Sequence, residues 1–312
     1  MPTDTVTPAV PPRHPRGRPE APAGGPVTHG ASPPRSTALG VALLALGLGA
    51  ALVALLGPLV LGVFDYHVSS GASGQIRGGD VAALLLVAPV SIAAGVLVLR
   101  GRVLGAALAL GPATFGLYMY FQLATGGDPH RYPGNVEVFF PVLLVLFLLA
   151  GYVAWQAWRT LLPVTLPSAG RRVDRLSGGF LLVVATFLVV GLHLPGLLTL
   201  WRGEPTEEYL ADPGVFWVVK VMDLGLVVPA LVLVGLALLR QHPERVGAAR
   251  YAVTGLGALL GSSVAGMAVV MQATDAPGSS PALTVAFCTF AVVALVVAAL
   301  QLRPLVQADR HR

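Results

Sequence analysis

Lys220 and Asp223 stand three residues apart in the apolar stretch FWVVKVMDLGLVVPALVL, residues 216–233. On a helix that spacing is about 60° of rotation, so both share one face and are placed to touch. A charge near the centre of a bilayer costs about 2.5–3.5 kcal/mol on insertion-derived scales, and pairing recovers part of it. Lys220 is the only lysine in a chain that otherwise uses arginine. A buried lysine can give up its proton, whereas arginine in effect cannot. The chemistry offered is therefore a charged centre that holds a small polar ligand, an ion or a proton. The plainer reading is a self-neutralising pair that fixes helix packing.

Further polar groups are expected near the pair. His193, in GFLLVVATFLVVGLHLPGLLTLW, falls roughly 12 Å from the outer end of its helix, and Lys220 roughly 10 Å from the outer end of the next. Tyr118 and Gln122 come from the segment GLYMYFQLA, in the outer third of another span. Lys220, Asp223, His193, Tyr118 and Gln122 form the expected binding site. Asp65, Tyr66, His67 and Glu137 cluster toward the same side. Asp80 and Glu137 read as first-turn acids that suit a helix dipole. The opposite halves of the spans offer only Thr186, Thr254, Tyr152 and Gln156, a scarcity that weighs against a through-going transport route. Gly191-x-x-x-Pro195 and Gly225-x-x-x-Pro229 repeat one device in adjacent helices: each proline removes the hydrogen bond to the glycine carbonyl four residues back. Pro58, Pro89, Pro112 and Pro141 are expected to do the same. Asp212-Pro213 reads as a capped helix start.

These groups must be carried by membrane-spanning helices. The 312 residues are 55% hydrophobic and 11% charged, with mean hydropathy +0.75. A soluble chain carries about a quarter charged residues. Apolar runs long enough to cross about 30 Å of hydrocarbon recur eight times, near 37–64, 80–99, 102–124, 136–161, 178–201, 214–240, 248–273 and 281–302. Sixteen arginines fall in the tails and even-numbered connections and three, Arg77, Arg131 and Arg202, in the odd-numbered ones. The positive-inside rule then places both termini in the cytoplasm and the polar site toward the outside. The expected fold class is all-α, a polytopic membrane bundle of eight transmembrane helices. Residues 1–36, rich in Pro and Arg, form a disordered cytoplasmic tail, 37–303 the eight-helix domain, and 304–312 a short C-terminal tail. PPRHP and SPPRS in the first tail suit a proline-binding module, though such composition needs no partner.

The net charge of +5 reports topology rather than a nucleic-acid partner. Cys288 is the sole cysteine, so no intramolecular disulfide forms. No phosphate-binding loop or metal motif occurs, and one histidine within the spans is too few for haem b; no cofactor and no metal are expected. Gly71-Ala72-Ser73-Gly74 and His193-x-x-Gly196 share the outline of rhomboid-protease motifs, but the serine falls in the SSGASG stretch, read as a flexible loop. An intramembrane enzyme is the least favoured class, and no catalytic residue is assigned. Gly257-x-x-x-Gly261 with Ser262, Ser263 and Gly266 offers a small-residue face for close helix packing.

The segments YMYFQ…YPGNVEVFFP, EEYLADPGVFWVVKVMDLGLVVPA and SSVAGMAVVM resemble a group of uncharacterised multi-pass membrane proteins of high-GC bacteria. That resemblance covers most of the chain beyond the tail, implies the same span count and carries over no catalytic residue. The function expected is that of a multi-pass protein of the cytoplasmic membrane, lipid-embedded, that binds or transports a small polar ligand or ion. The alternative is a structural or partner-binding component in which the charged pair only organises packing.

Overall fold

The computed structural model describes residues 36–275 and 279–310; the first tail, apart from Ser36, lies outside them. Eight helices are long and apolar enough to cross a membrane. They are α1 (Thr37–Leu56), α2 (Ser70–Leu99), α3 (Val103–Thr125), α4 (Val136–Leu161), α5 (Arg171–Trp201), α6 (Pro213–Leu239), α7 (Ala249–Ala273) and α8 (Pro281–Arg310). No strand occurs among the described residues. We call the end where α1 begins and α8 finishes the terminal face, and the other end the loop face.

Four boundaries differ from those the sequence predicts, one of them the start of α5 at Arg171 rather than residue 178. The first helix stops at Leu56, not residue 64, because Gly57 precedes Pro58 and takes an extended conformation (φ −68°, ψ 179°). The chain turns back there, with the Phe64 N–H donating to the Leu56 carbonyl at 2.8 Å. Pro58 thus lies outside any helix. The second helix begins ten residues early, at Ser70, where the Ser69 hydroxyl accepts from the Ala72 N–H at 3.3 Å. SGASGQIRGG is too polar and glycine-rich to look like a span, yet it is helical because it docks on α7. A Cβ on Gly78 would lie 2.5 Å from the Met267 backbone nitrogen, so only glycine permits that approach. The last helix runs through Pro304 to Arg310 rather than ending as a tail, with Leu305 and Asp309 buried against the bundle. Arg102 donates to the Asp309 carbonyl.

Helix α3 is the most enclosed span and packs against α2, α4 and α7. The main apolar core lies among α1, α3 and α4, with Leu39, Leu43, Leu110, Leu143 and Leu161 almost fully buried. Helices α5 and α6 form an antiparallel pair with their own core of Leu181, Val184, Leu231 and Leu238. That pair is attached to the rest more sparsely than its two members are to each other.

Three helices each contain a π-helical turn, at Ala83–Val87 in α2, Phe187–His193 in α5 and Asp223–Val227 in α6. Each ends two residues before a proline: Pro89, Pro195 and Pro229. The N–H just before each proline reaches five residues back, as from Val228 to the Asp223 carbonyl. A ring that removes one N–H and crowds the preceding turn is thus accommodated by widening the helix. Pro112 and Pro141 sit in uninterrupted α-helix.

Candidate functional site

Asp223 opens the widened turn of α6 and its carboxylate is held from two other helices. The Tyr118 hydroxyl of α3 donates to Oδ1 at 2.9 Å. His193 Nε2, at the end of the widened turn of α5, lies 2.8 Å from Oδ2. His193 is 2% exposed and Asp223 7%. With both oxygens accepting, Nε2 carries a hydrogen, on either a neutral or a charged ring. An acid, an imidazole and a phenol therefore meet where α3, α5 and α6 converge toward the loop face.

Lys220 does not join them as the spacing predicts. The ion pairs among the described residues each link a histidine to a carboxylate, and none involves Lys220. Its ammonium lies 3.2 Å from the centroid of the Phe216 ring, one turn earlier on the same helix. Helical side chains lean toward the N-terminus, so a lysine preceding its acid leans away from it. Lysine first and acid second is also the weaker order along a helix. His193 is hydrogen-bonded to Asp223 rather than paired with Lys220, so its contacts lie one turn further along α6 than the spacing predicts. Gln122 is also elsewhere. It lines a cavity under the 57–69 connection with His67, Gln75 and Val215. Of the five residues singled out, the structure joins Asp223, His193 and Tyr118 by hydrogen bonds.

The loop face above this cluster is tied together by side chains. Asp212 does not cap its own helix; its Oδ1 accepts from the Ser69 N–H at 2.9 Å, joining the start of α6 to that of α2. Arg131 donates to the Leu210 and Ala211 carbonyls, and Tyr132 to that of Ala211. His67 Nε2 lies 2.9 Å from the Glu137 carboxylate and its Nδ1 2.8 Å from the Tyr132 carbonyl. The His67 pKa is raised, chiefly by the Glu137 hydrogen bond and then by the Tyr132 carbonyl and nearby Asp65, against an opposing effect of burial. A raised histidine pKa stabilises the folded form below the ordinary value of about 6.5, and that contribution is lost as pH rises through the higher folded value. Proteolytic protection of the 57–69 connection should accordingly fall as pH rises above about 6.5. In Glu137→Gln the fall should be absent; an unchanged profile in that variant would exclude the pair as its cause.

Two buried polar groups escaped the sequence reading. Asp80 is the eleventh residue of α2, not a first-turn acid, so the dipole explanation fails. It is 5% exposed, and its Oδ2 has no hydrogen-bond partner among the described residues. A Cβ on Gly57 would lie 2.6 Å from that oxygen. The Tyr66 hydroxyl, buried in the 57–69 connection, is likewise without a partner. Its pKa is raised by burial, then by Asp80 and Tyr120.

The second group lies toward the terminal face. Asp174 accepts from the Ser168 hydroxyl at 2.6 Å and from Gln301 Nε2 at 3.2 Å, and Gln301 also donates to Ser177 at 3.0 Å. Arg250 is 1% exposed and donates to the Pro167 carbonyl at 2.6 Å and the Tyr251 hydroxyl at 2.7 Å. By position alone Arg250 counts as one more cytoplasmic cation. A signal did exist in α5, where Asp174, Ser177, Leu181 and Val184 continue a single buried stripe at helical spacing. These groups also correct the expectation of an almost wholly apolar terminal half.

Ser73 proves to be helical, in the first turns of α2, and makes no hydrogen bond to His193 among the described residues. Among those residues no group of three or more His, Cys, Asp or Glu is placed to hold a metal ion.

Eight apolar helices, lipid-exposed leucines and valines on their outer faces, and a polar cluster shared by three of them define a multi-pass helical membrane protein. Comparison with protein-family models, curated proteins and solved structures returns no match.

Proposed function

We propose that the protein resides in the cytoplasmic membrane with both termini in the cytoplasm, and binds a small polar ligand or ion, as a permease does, at Asp223, His193 and Tyr118. One observation carries this reading: a buried carboxylate at one widened, proline-linked turn is hydrogen-bonded to His193 at another and to Tyr118 of a third helix. Intramembrane ionisable groups are expensive and mark ion or proton pathways by default. Lys220, 5% exposed on the same helix, stays outside the cluster with its ammonium on the Phe216 ring. The orientation rests on the arginine distribution, which stays lopsided when buried Arg250 is set aside.

The competing reading is a structural or partner-binding component in which the cluster only sets helix rotation. It draws on the satisfaction of both Asp223 oxygens and on the burial of the group. Thermal unfolding of the purified protein against a panel of small cations, amino acids and sugars separates the two. Binding requires at least one solute to raise the wild-type midpoint and to lose that effect in Asp223→Asn. A panel that moves nothing, or a shift that survives the substitution, supports the structural reading.

A further inference from the structure

The terminal end of the α5–α6 pair presents an unusual surface. Arg171, Arg172 and Arg175 occupy the first five residues of α5, all exposed, with no ion pair or hydrogen bond from their guanidinium groups among the described residues. The one acid in that segment, Asp174, is turned inward and held by Ser168 and Gln301, so it neutralises nothing outside. At the adjoining end of α6, Leu239 lies against Gly178, which brings exposed Arg240 beside the second turn of α5.

Below the arginines the same face of α5 is open. Leu182, Val183, Thr186, Phe187, Val190 and Gly191, all on this one helix, line a shallow, open groove. Gly179, between arginines and groove, has open space where a Cβ would stand. Positions 172, 175, 179, 182 and 186 recur at helical spacing, so the two features lie on one stripe. The only polar side chain in the groove, Thr186, donates back to the Leu182 carbonyl at 2.9 Å and makes no demand on an occupant. At 1.5 Å per residue the groove begins roughly 10 Å below Arg175 and ends roughly 24 Å below it. A phosphate at the arginines would place its acyl chains over about that range, since headgroup regions are about 5–7 Å deep and one leaflet of hydrocarbon about 15 Å.

We propose that this stripe is a binding site for an anionic phospholipid, its phosphate held by Arg171, Arg172 and Arg175 and one acyl chain lying in the 182–191 groove. The site is independent of the polar cluster at Asp223. A zwitterionic lipid brings an ammonium into the same arginine cluster and is disfavoured; a purely apolar occupant leaves the guanidinium groups unanswered.

Native mass spectrometry of the detergent-purified protein, titrated with phosphatidylglycerol or phosphatidylcholine of matched chains, tests it. The wild type should retain phosphatidylglycerol preferentially. Combining Arg171→Gln, Arg172→Gln and Arg175→Gln should weaken that retention by on the order of 100-fold, from about 1 kcal/mol per basic residue at a membrane surface. Gly179→Phe, which leaves the arginines in place and projects into open space, should weaken it as well. Arg159→Gln and Arg303→Gln, on other helices at the terminal face, should not. Equal retention of both lipids, or retention unaffected by the triple change and by Gly179→Phe, overturns the proposal. So does inorganic phosphate displacing the lipid at millimolar concentration, or a dimer that persists after delipidation and occupies the stripe.

Discussion

Asp223→Ala should lower the thermal midpoint of the purified protein by roughly 10 °C. The substitution leaves the Tyr118 hydroxyl and the His193 N–H buried with no acceptor. Leaving a buried donor without an acceptor costs about 1–3 kcal/mol, here at two donors, and a chain of this size shifts by roughly 2–4 °C per kcal/mol. Asp223→Asn should lose less, because the amide oxygen still accepts from one donor. Lys220→Met supplies the contrast. If lysine and aspartate neutralised one another, removing the lysine would strand a buried carboxylate and cost as much as Asp223→Ala. With the ammonium resting on Phe216 and no ion pair to lose, Met at 220 should unfold within a few degrees of wild type. A Lys220→Met midpoint as low as that of Asp223→Ala would restore the pairing and refute the arrangement described above.

Gly178→Val should be the most damaging substitution of a glycine in the α5–α6 pair. A Cβ at Gly178 would lie 2.6 Å from the Gly235 carbonyl oxygen and 2.6 Å from the Leu239 nitrogen, both backbone atoms of the facing helix. Backbone cannot swing aside as a side-chain end can, so the helices must separate along their core of Leu181, Val184, Leu231 and Leu238. Overpacking of this kind costs about 1–3 kcal/mol or more. Separation here also disturbs the His193–Asp223 contact, which needs the same two helices in register. The variant should show a lower midpoint and, if a ligand is found, weaker binding of it. Gly179→Ala, one residue away and facing open space, should be neutral or slightly stabilising. Equal effects at 178 and 179 would show that helix propensity, not the close approach, sets the outcome.

Most of the fold was legible because hydrocarbon permits few solutions: a backbone with no water to bond must close its hydrogen bonds within a helix. Eight apolar runs therefore became eight helices. The errors fall where hydropathy ceases to be the deciding force. SGASGQIRGG is helical through contact with α7, a tertiary cause that no window of the sequence contains. The same unseen extension moved Asp80 from a helix end into the bundle interior. Arginines were all read as surface charges; Arg171, Arg172 and Arg175 are exposed, whereas Arg250 is sealed against Pro167 and Tyr251.

The sequence by itself determined that the chain carries eight segments long and apolar enough to cross a membrane, and that acid, imidazole and phenol are carried by three of them. Hydrophobic length and residue type suffice for that. Which of these groups meet was decided only by tertiary structure. A hydrogen bond depends on helix rotation and depth to within an ångström, and three proline-linked π turns alter both. Rotation turned Asp223 toward Tyr118 and His193, while the lean of a helical side chain sent Lys220 back onto Phe216.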